Sequence, residues 1–383
     1  MKRRTRLAVS AGAVIGLSTL VAPVVAGADE PPGPTFIGGP DHAVFVQTDN
    51  TAGNQVVAYD RATNGALTLA GTYDTGGVGG QLTGSVVDHL ASQGSLTYDP
   101  RSRLLYAVNA GSNTVSVFAV QGDRLLLRQV VNSGGTFPVS VAVHGSLVYV
   151  VNAENGGSVQ GFVSFFGHLF ALPGTNRALG LNSAATPQFV NTPGQIAFSP
   201  DGSQLIVTTK ANGNDIDVFR VGWFGHLSPS PVVNTEPGAV PFAVSFDAAG
   251  HLVVAEAGPN ALATFTLNPG GTVTPIDAVG NGQSATCWVA EAQGFFYVSN
   301  AGSNSVSQYA ISGSGGLTLD ALPSSTDPGT VDAAPSVDGQ YLYVQTGGNG
   351  IVDEFHVGTN GTLAPVGSVT VAGAVGGEGI VAF

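Results

Sequence analysis

The chain has 383 residues, with 12 Lys and Arg against 25 Asp and Glu, a formal net charge of −13, and one cysteine. So few basic groups cannot neutralise a run of phosphates, which excludes nucleic acid as a partner and leaves little attraction for anionic lipid headgroups. Cys287 has no possible disulfide partner in the chain and sits in the apolar stretch ATCWVA. It is expected to be a buried strand residue, and stability has to come from an apolar core.

In chain order, the first segment has the form of an export signal. Lys2, Arg3, Arg4 and Arg6 precede the apolar run LAVSAGAVIGLSTLVAPVVAG, and Ala26-Gly27-Ala28 offers a small-residue cleavage site. Residues 1–28 are predicted to be a signal peptide cleaved after Ala28, and 29–39 a linker. The protein is then secreted, with no membrane insertion after cleavage. The remainder holds 8 basic against 25 acidic residues, a formal charge of −17.

From residue 40 onward one pattern recurs: an apolar strand, a turn rich in Gly, Asn and Ser, and an alternating strand ending in an aromatic residue. This is the signature of a β-hairpin. Seven copies occur, among them LLYAVNAGSNTVSVF, LVYVVNAENGGSVQGF and FFYVSNAGSNSVSQY, with aromatic ends at Tyr59, Phe118, Phe162, Phe219, Phe265, Tyr309 and Phe355. Each hairpin is followed by a turn and a weaker strand, and all but the first are preceded by a short apolar strand. Four strands every ~45–60 residues is the spacing of a β-propeller. The first copy lacks its leading strand, but Gly379-Ile380-Val381-Ala382-Phe383 matches Gln195-Ile196-Ala197-Phe198, a leading strand elsewhere. The predicted fold is therefore all-β: a seven-bladed propeller over 40–383, four antiparallel strands per blade, closed by strand 379–383 joining the first blade. A β-sandwich would not explain seven copies and an end-to-end complement.

The strands YAVN at 106–109, YVVN at 149–152 and YVSN at 297–300 resemble the YVTN repeat of surface-layer-type propellers. The larger unit, with FSPDG at 198–202, is similar to the lactonase family, seven-bladed propellers related to 6-phosphogluconolactonase and carboxymuconate-lactonising enzymes. This resemblance implies lactone (carboxylic ester) hydrolysis as a possible activity. Enzymatic members of such a family would carry Pro-His at leading strands. Here Pro138, Pro193, Pro241 and Pro335 are followed by Val139, Gly194, Phe242 and Ser336.

In a propeller, the connections between blades and the turns inside each hairpin share one face, where ligands bind. Only His89, next to Asp88, falls in such a connection; His42, His144, His168, His226, His251 and His356 fall on the opposite face. His89 could activate a water, and Arg177, in the long segment 173–194, could stabilise an oxyanion. Glu154 and Glu256 stand at hairpin turns and are the other candidate catalytic groups. Asp88, Asn182, Gln195, Glu236 and Glu378 are candidate ligand-binding residues. Asn212, Asn214 and Asp215 are calcium-type donors, but their spacing completes no loop of that kind. No metal or cofactor is expected.

Three functions are compatible with this sequence. The first is a monomeric binding protein of the envelope or extracellular space, recognising a small polar ligand, a glycan or an envelope protein. The second is a divergent lactonase acting on a sugar lactone, and the third a structural surface-layer-type repeat protein. Proximity of His89, Arg177 and a glutamate around one pocket would favour catalysis.

Overall fold

A computed structural model describes residues 42–383; the predicted signal peptide and linker lie outside the described residues. Seven sheets of antiparallel strands are arranged in chain order as blades. Blade 1 combines Ile380–Ala382 as its inner strand A with Ala43–Gln47 (B), Gln55–Arg61 (C) and Leu67–Asp74 (D). Blades 2 to 7 follow over 96–132, 138–171, 196–235, 241–280, 286–325 and 330–370. The seven-bladed propeller predicted from the repeat is the observed fold. The closing strand pairs as expected, Val44 opposite Ala382 and Val46 opposite Ile380.

Burial explains why these segments hold as strands. Ala43–Gln47 is buried throughout, because the middle strands are covered on both faces by neighbouring blades. The outer strand Leu67–Asp74 instead alternates with solvent. All seven aromatic ends of the hairpins are buried. Phe118 packs with Phe45, Val56 and Ala58 of blade 1, so it joins two blades rather than filling one. In blades 1, 2, 5 and 7 the pairing of strands C and D slips by one residue beside this aromatic, at Tyr59, Phe118, Phe265 and Phe355. A bulge there adds the local twist a blade needs.

The words of the repeat have separate structural duties. The tyrosine hydroxyl of one blade reaches the C–D turn of the next. Tyr297 donates to the Gly361 carbonyl at 2.7 Å, Tyr343 to that of Gly65 at 2.9 Å, and Tyr149 to that of Gly225. The asparagine knits the B–C turn. The Asn109 amide donates to Ser116 Oγ at 2.8 Å and Thr114 Oγ1 at 3.0 Å, and its oxygen accepts from Asn54 Nδ2 at 3.1 Å. Ring closure has a polar tie as well, since Arg61 of blade 1 pairs with Asp338 of blade 7 at 3.3 Å.

Candidate functional site

The B–C turn of each blade follows a position that is Asn109, Asn152 or Asn300 in three blades and Thr48, Thr209, Glu256 or Thr346 in the others. Aligned by strand pairing, the residue after it is Ala110, Ala153, Ala257, Ala301 or Gly347 in five blades. In blades 1 and 4 it is Asp49 and Lys210, both buried, with φ of 51° and 54°. Small residues are the rule at this crowded position, so the two charged exceptions mark the axis as chemically special.

Lys210 borders a cavity of about 540 Å³ on the face that carries the long connections. Its walls are mostly apolar: Val87, Phe189, Phe242 and Trp288 are prominent, with Asn260 and Ser284 at polar points. The Phe242 and Trp288 rings lie 4.9 Å apart, and the indole N–H donates to the Ser92 carbonyl at 2.6 Å. Lys210 Nζ donates to the carbonyls of Ala91 and Phe189, each at 2.6 Å, and to Thr192 Oγ1 at 3.1 Å. An ammonium has three N–H donors, and all three are used. The side chain thereby ties the connections 75–95 and 172–195 together over the axis. Burial lowers its pKa to about 7, opposed by the nearby charge of Asp88.

Asp88 also lines this cavity. Its Oδ1 accepts from the Leu90 and Ala91 N–H groups at 2.8 Å and its Oδ2 from Ser92 N–H at 2.9 Å. Burial pushes it up to about 6, while these donors and Lys210 pull it down. Ser92 then leads inward: its hydroxyl donates to the Val139 carbonyl at 2.9 Å and lies 3.3 Å from Glu378 Oε2. Glu378 Oε1 accepts from Gly94 N–H at 3.0 Å, and Glu378 N–H donates to Asp49 Oδ2 at 2.8 Å. Asp332 completes this buried acidic group. Burial raises Asp49 to about 8 and Asp332 to about 7, and burial plus repulsion from Asp332, Asp88 and Asp49 holds Glu378 well above the carboxylate range. Among the described residues, no set of three or more His, Cys, Asp or Glu side chains is arranged to hold a metal ion. Cys287 also borders the cavity, buried, and desolvation pushes its thiol to about 12.

The four residues proposed from sequence as catalytic are not gathered here. His89 packs its ring on Gly376; its Nδ1 is buried without a partner among the described residues, and burial lowers its pKa. Arg177 lies in a short strand that extends the outer edge of blade 3 opposite Val159. Its guanidinium is consumed by the carbonyls of Ser228, Gly174, Asn176 and Leu227, at 2.8–2.9 Å. Glu154 accepts from Gln188 Nε2 at 3.0 Å near exposed Asn182, in a cleft separate from the axial cavity. Glu256 and Glu236 share a groove between blades 4 and 5. Burial, then the charge of Glu236, raises Glu256 to about 7. Gln195 faces the other end of the axis, its Oε1 accepting from Val244 N–H at 2.7 Å. Of the expected ligand-binding residues, then, Asp88 lines the axial cavity and Glu378 lies next to it through Ser92. Lys210, Asp49, Asp332 and Trp288 were missed. The break in the repeat at positions 49 and 210 was the available signal.

The arrangement defines a seven-bladed β-propeller with an apolar axial cavity floored by buried charge. The family model described as Lactonase, 7-bladed beta-propeller, matches residues 38–162 of the chain. Solved structures agree on the fold. A candidate 6-phosphogluconolactonase from Bacteroides fragilis has a TM-score of 0.70 at 17% identity, covering 92% of this chain and 100% of its own. The periplasmic gluconolactonase of Pseudomonas aeruginosa has 0.69 at 17% identity, covering 88% and 98%. Virginiamycin B lyase from Staphylococcus aureus gives 0.54 at 14% identity, covering 77% and 89%. Comparison with curated protein sequences returns no match.

Proposed function

We propose that the protein is an exported propeller that binds a small, largely apolar molecule in the axial cavity. The observation that carries this reading is the state of the cavity's charged groups. The three donors of Lys210 and three of the four acceptor sites of Asp88 are engaged by the protein itself. A phosphate or a sugar acid would meet no free cation there, whereas an apolar ligand would meet Val87, Phe189, Phe242 and Trp288. The sequence anticipated a polar ligand; the apolar walls argue for a different one. Export rests on the form of residues 1–28 alone.

Lactone hydrolysis is the second reading, favoured by the family match and by neighbours described as gluconolactonases. In it, the one free acceptor site of Asp88 Oδ2 takes a proton from water as that water attacks the lactone carbonyl; the tetrahedral adduct then breaks its bond to the ring oxygen, which takes that proton back from Asp88 as the hydroxy acid forms. Trp288 lines the cavity and Trp223, the other tryptophan, is exposed, so Trp223→Phe leaves a single reporter. Titrating that variant with apolar lactones, gluconolactone and 6-phosphogluconolactone, with ring opening followed by pH-stat, separates the readings. Quenching of Trp288 without acid release supports binding. Acid release abolished by Asp88→Asn supports hydrolysis, and no quenching by any compound rejects the cavity as a site.

A further inference from the structure

The face opposite the cavity carries two turns of matching sequence, Phe165-Phe166-Gly167-His168 in blade 3 and Trp223-Phe224-Gly225-His226 in blade 4. Phe166, Trp223 and Phe224 are 83%, 88% and 85% exposed. Turn tips are ordinarily polar. Moreover, Phe166 has φ of 48° and Phe224 of 57°, the left-handed region that bulky side chains avoid. The equivalent position in blade 2 is Gly122, at φ 61°. Apart from the contact of the Phe165 and Phe166 rings at 4.2 Å, these exposed aromatics bury little within the chain, which points to a use outside it.

The surroundings say what kind of surface they meet. Leu126 and Leu127 of blade 2 and Phe170 of blade 3 are exposed in the adjoining outer strands. Only eight Lys and Arg occur in residues 42–383. Five of them, Arg101, Arg103, Arg124, Arg128 and Arg220, are exposed on this side of blades 2 and 4, and Arg128 Nε lies 3.7 Å from the Cβ position of Gly167. Among the described residues none of these five guanidinium groups has an ion pair. The acids on the same turns are Asp99, Asp123 and Asp201. Two are occupied locally: Asp99 accepts from Arg101 N–H and Ser102 Oγ, and Asp201 from Ser199 and Ser203.

We propose that the lower turns of blades 2 to 4 form a docking surface for a bilayer containing anionic lipid. Trp and Phe at the tips enter the headgroup boundary while the arginines meet lipid phosphates. A second copy of this acidic chain could satisfy the arginines, but its charged surface would not accept the aromatic tips. Docked this way, the axial cavity faces away from the membrane and stays open.

Co-sedimentation of the full chain with vesicles tests this, using phosphatidylcholine alone and an equal mixture with phosphatidylglycerol. Partitioning should require the mixture and weaken as salt rises. The double variant Trp223→Ser/Phe224→Ser, and separately Arg128→Glu/Arg220→Glu, should each lower partitioning about tenfold. Val337→Ser, at an exposed valine of blade 7, should leave it unchanged. All of these positions are exposed, and matched thermal melting will confirm that each variant folds. Four outcomes would overturn the proposal: no partitioning, equal partitioning on pure phosphatidylcholine, partitioning that persists in both double variants, or patch-dependent binding to dextran sulfate or to a second copy without vesicle binding.

Discussion

Glu256 occupies the position that the repeat assigns to asparagine. It pairs with Ala261 as Asn109 pairs with Thr114, Asn152 with Ser158 and Asn300 with Ser305. Where Asn109 makes three side-chain hydrogen bonds, Glu256 is 7% exposed and its carboxylate receives none among the described residues. Glu256→Asn should therefore stabilise the protein, but only where the glutamate is ionised. The folded carboxyl titrates at about 7 against 4.5 ordinarily. The folded state thus holds this proton to higher pH than the unfolded chain does. Its stability is complete below pH 4.5 and falls as pH rises toward 7. A fully buried group would lose about 3 kcal/mol over that window, and solvent at the groove mouth reduces this to about 1–3 kcal/mol. With unfolding entropy near 2.1 cal/mol/K per residue over residues 42–383, Tm should rise about 1–4 °C at pH 8. Calorimetric melting of wild type, Glu256→Asn and Glu256→Gln at pH 4.5 and pH 8 measures it. An equal gain at both pH values, or a loss at pH 8, would refute the assignment of an unpartnered carboxylate.

Lys210→Met orphans the buried Ala91 carbonyl, the half-buried Phe189 carbonyl and Thr192, and should destabilise by about 3–5 kcal/mol while exposing segments 75–95 and 172–195 to limited proteolysis. Removing residues 380–383 deletes the inner strand of blade 1 and bares the edge of Ala43–Gln47, so the truncated chain should aggregate on refolding, which light scattering reports. Asp49→Asn should be neutral at pH 4 and stabilising at pH 8 by melting temperature, since burial raises Asp49 to about 8 and stability is lost as pH climbs toward that value. The Gln47 amide that donates to Asp49 has an unpartnered oxygen and can turn to accept from the new amide.

The blades were legible because their cause is local. Alternation, turn residues and the buried aromatic at each hairpin end all recur at short range, and the C-terminal strand complemented a visible gap. The site was much less legible. His89 and Asp88 are adjacent in sequence, yet Asp88 turns into the axial cavity while His89 packs against Gly376 of the closing segment. Arg177 looked available in a long connection, but four carbonyls from two blades consume it, and such geometry leaves no mark in sequence. Lys210 and Asp49 could have been found by asking where the B–C turns depart from a small first residue.

Net charge also concealed something that position supplies. A total of −13 argues against anionic surfaces only if the charges are mixed evenly. Folding instead places five of the eight Lys and Arg of residues 42–383 around the strained aromatic turns and buries Asp49, Asp88, Asp332 and Glu378 on the axis. Burial raises all four of these carboxyls, so the axis holds its protons to higher pH than exposed carboxylates do. The same ring thus separates two environments. An apolar cavity closed by Lys210 lies at one end of the blades, and exposed aromatics flanked by unpaired arginines lie at the other. Each set breaks the repeat at matching positions in only some blades, which is how a symmetric scaffold acquires sides that differ.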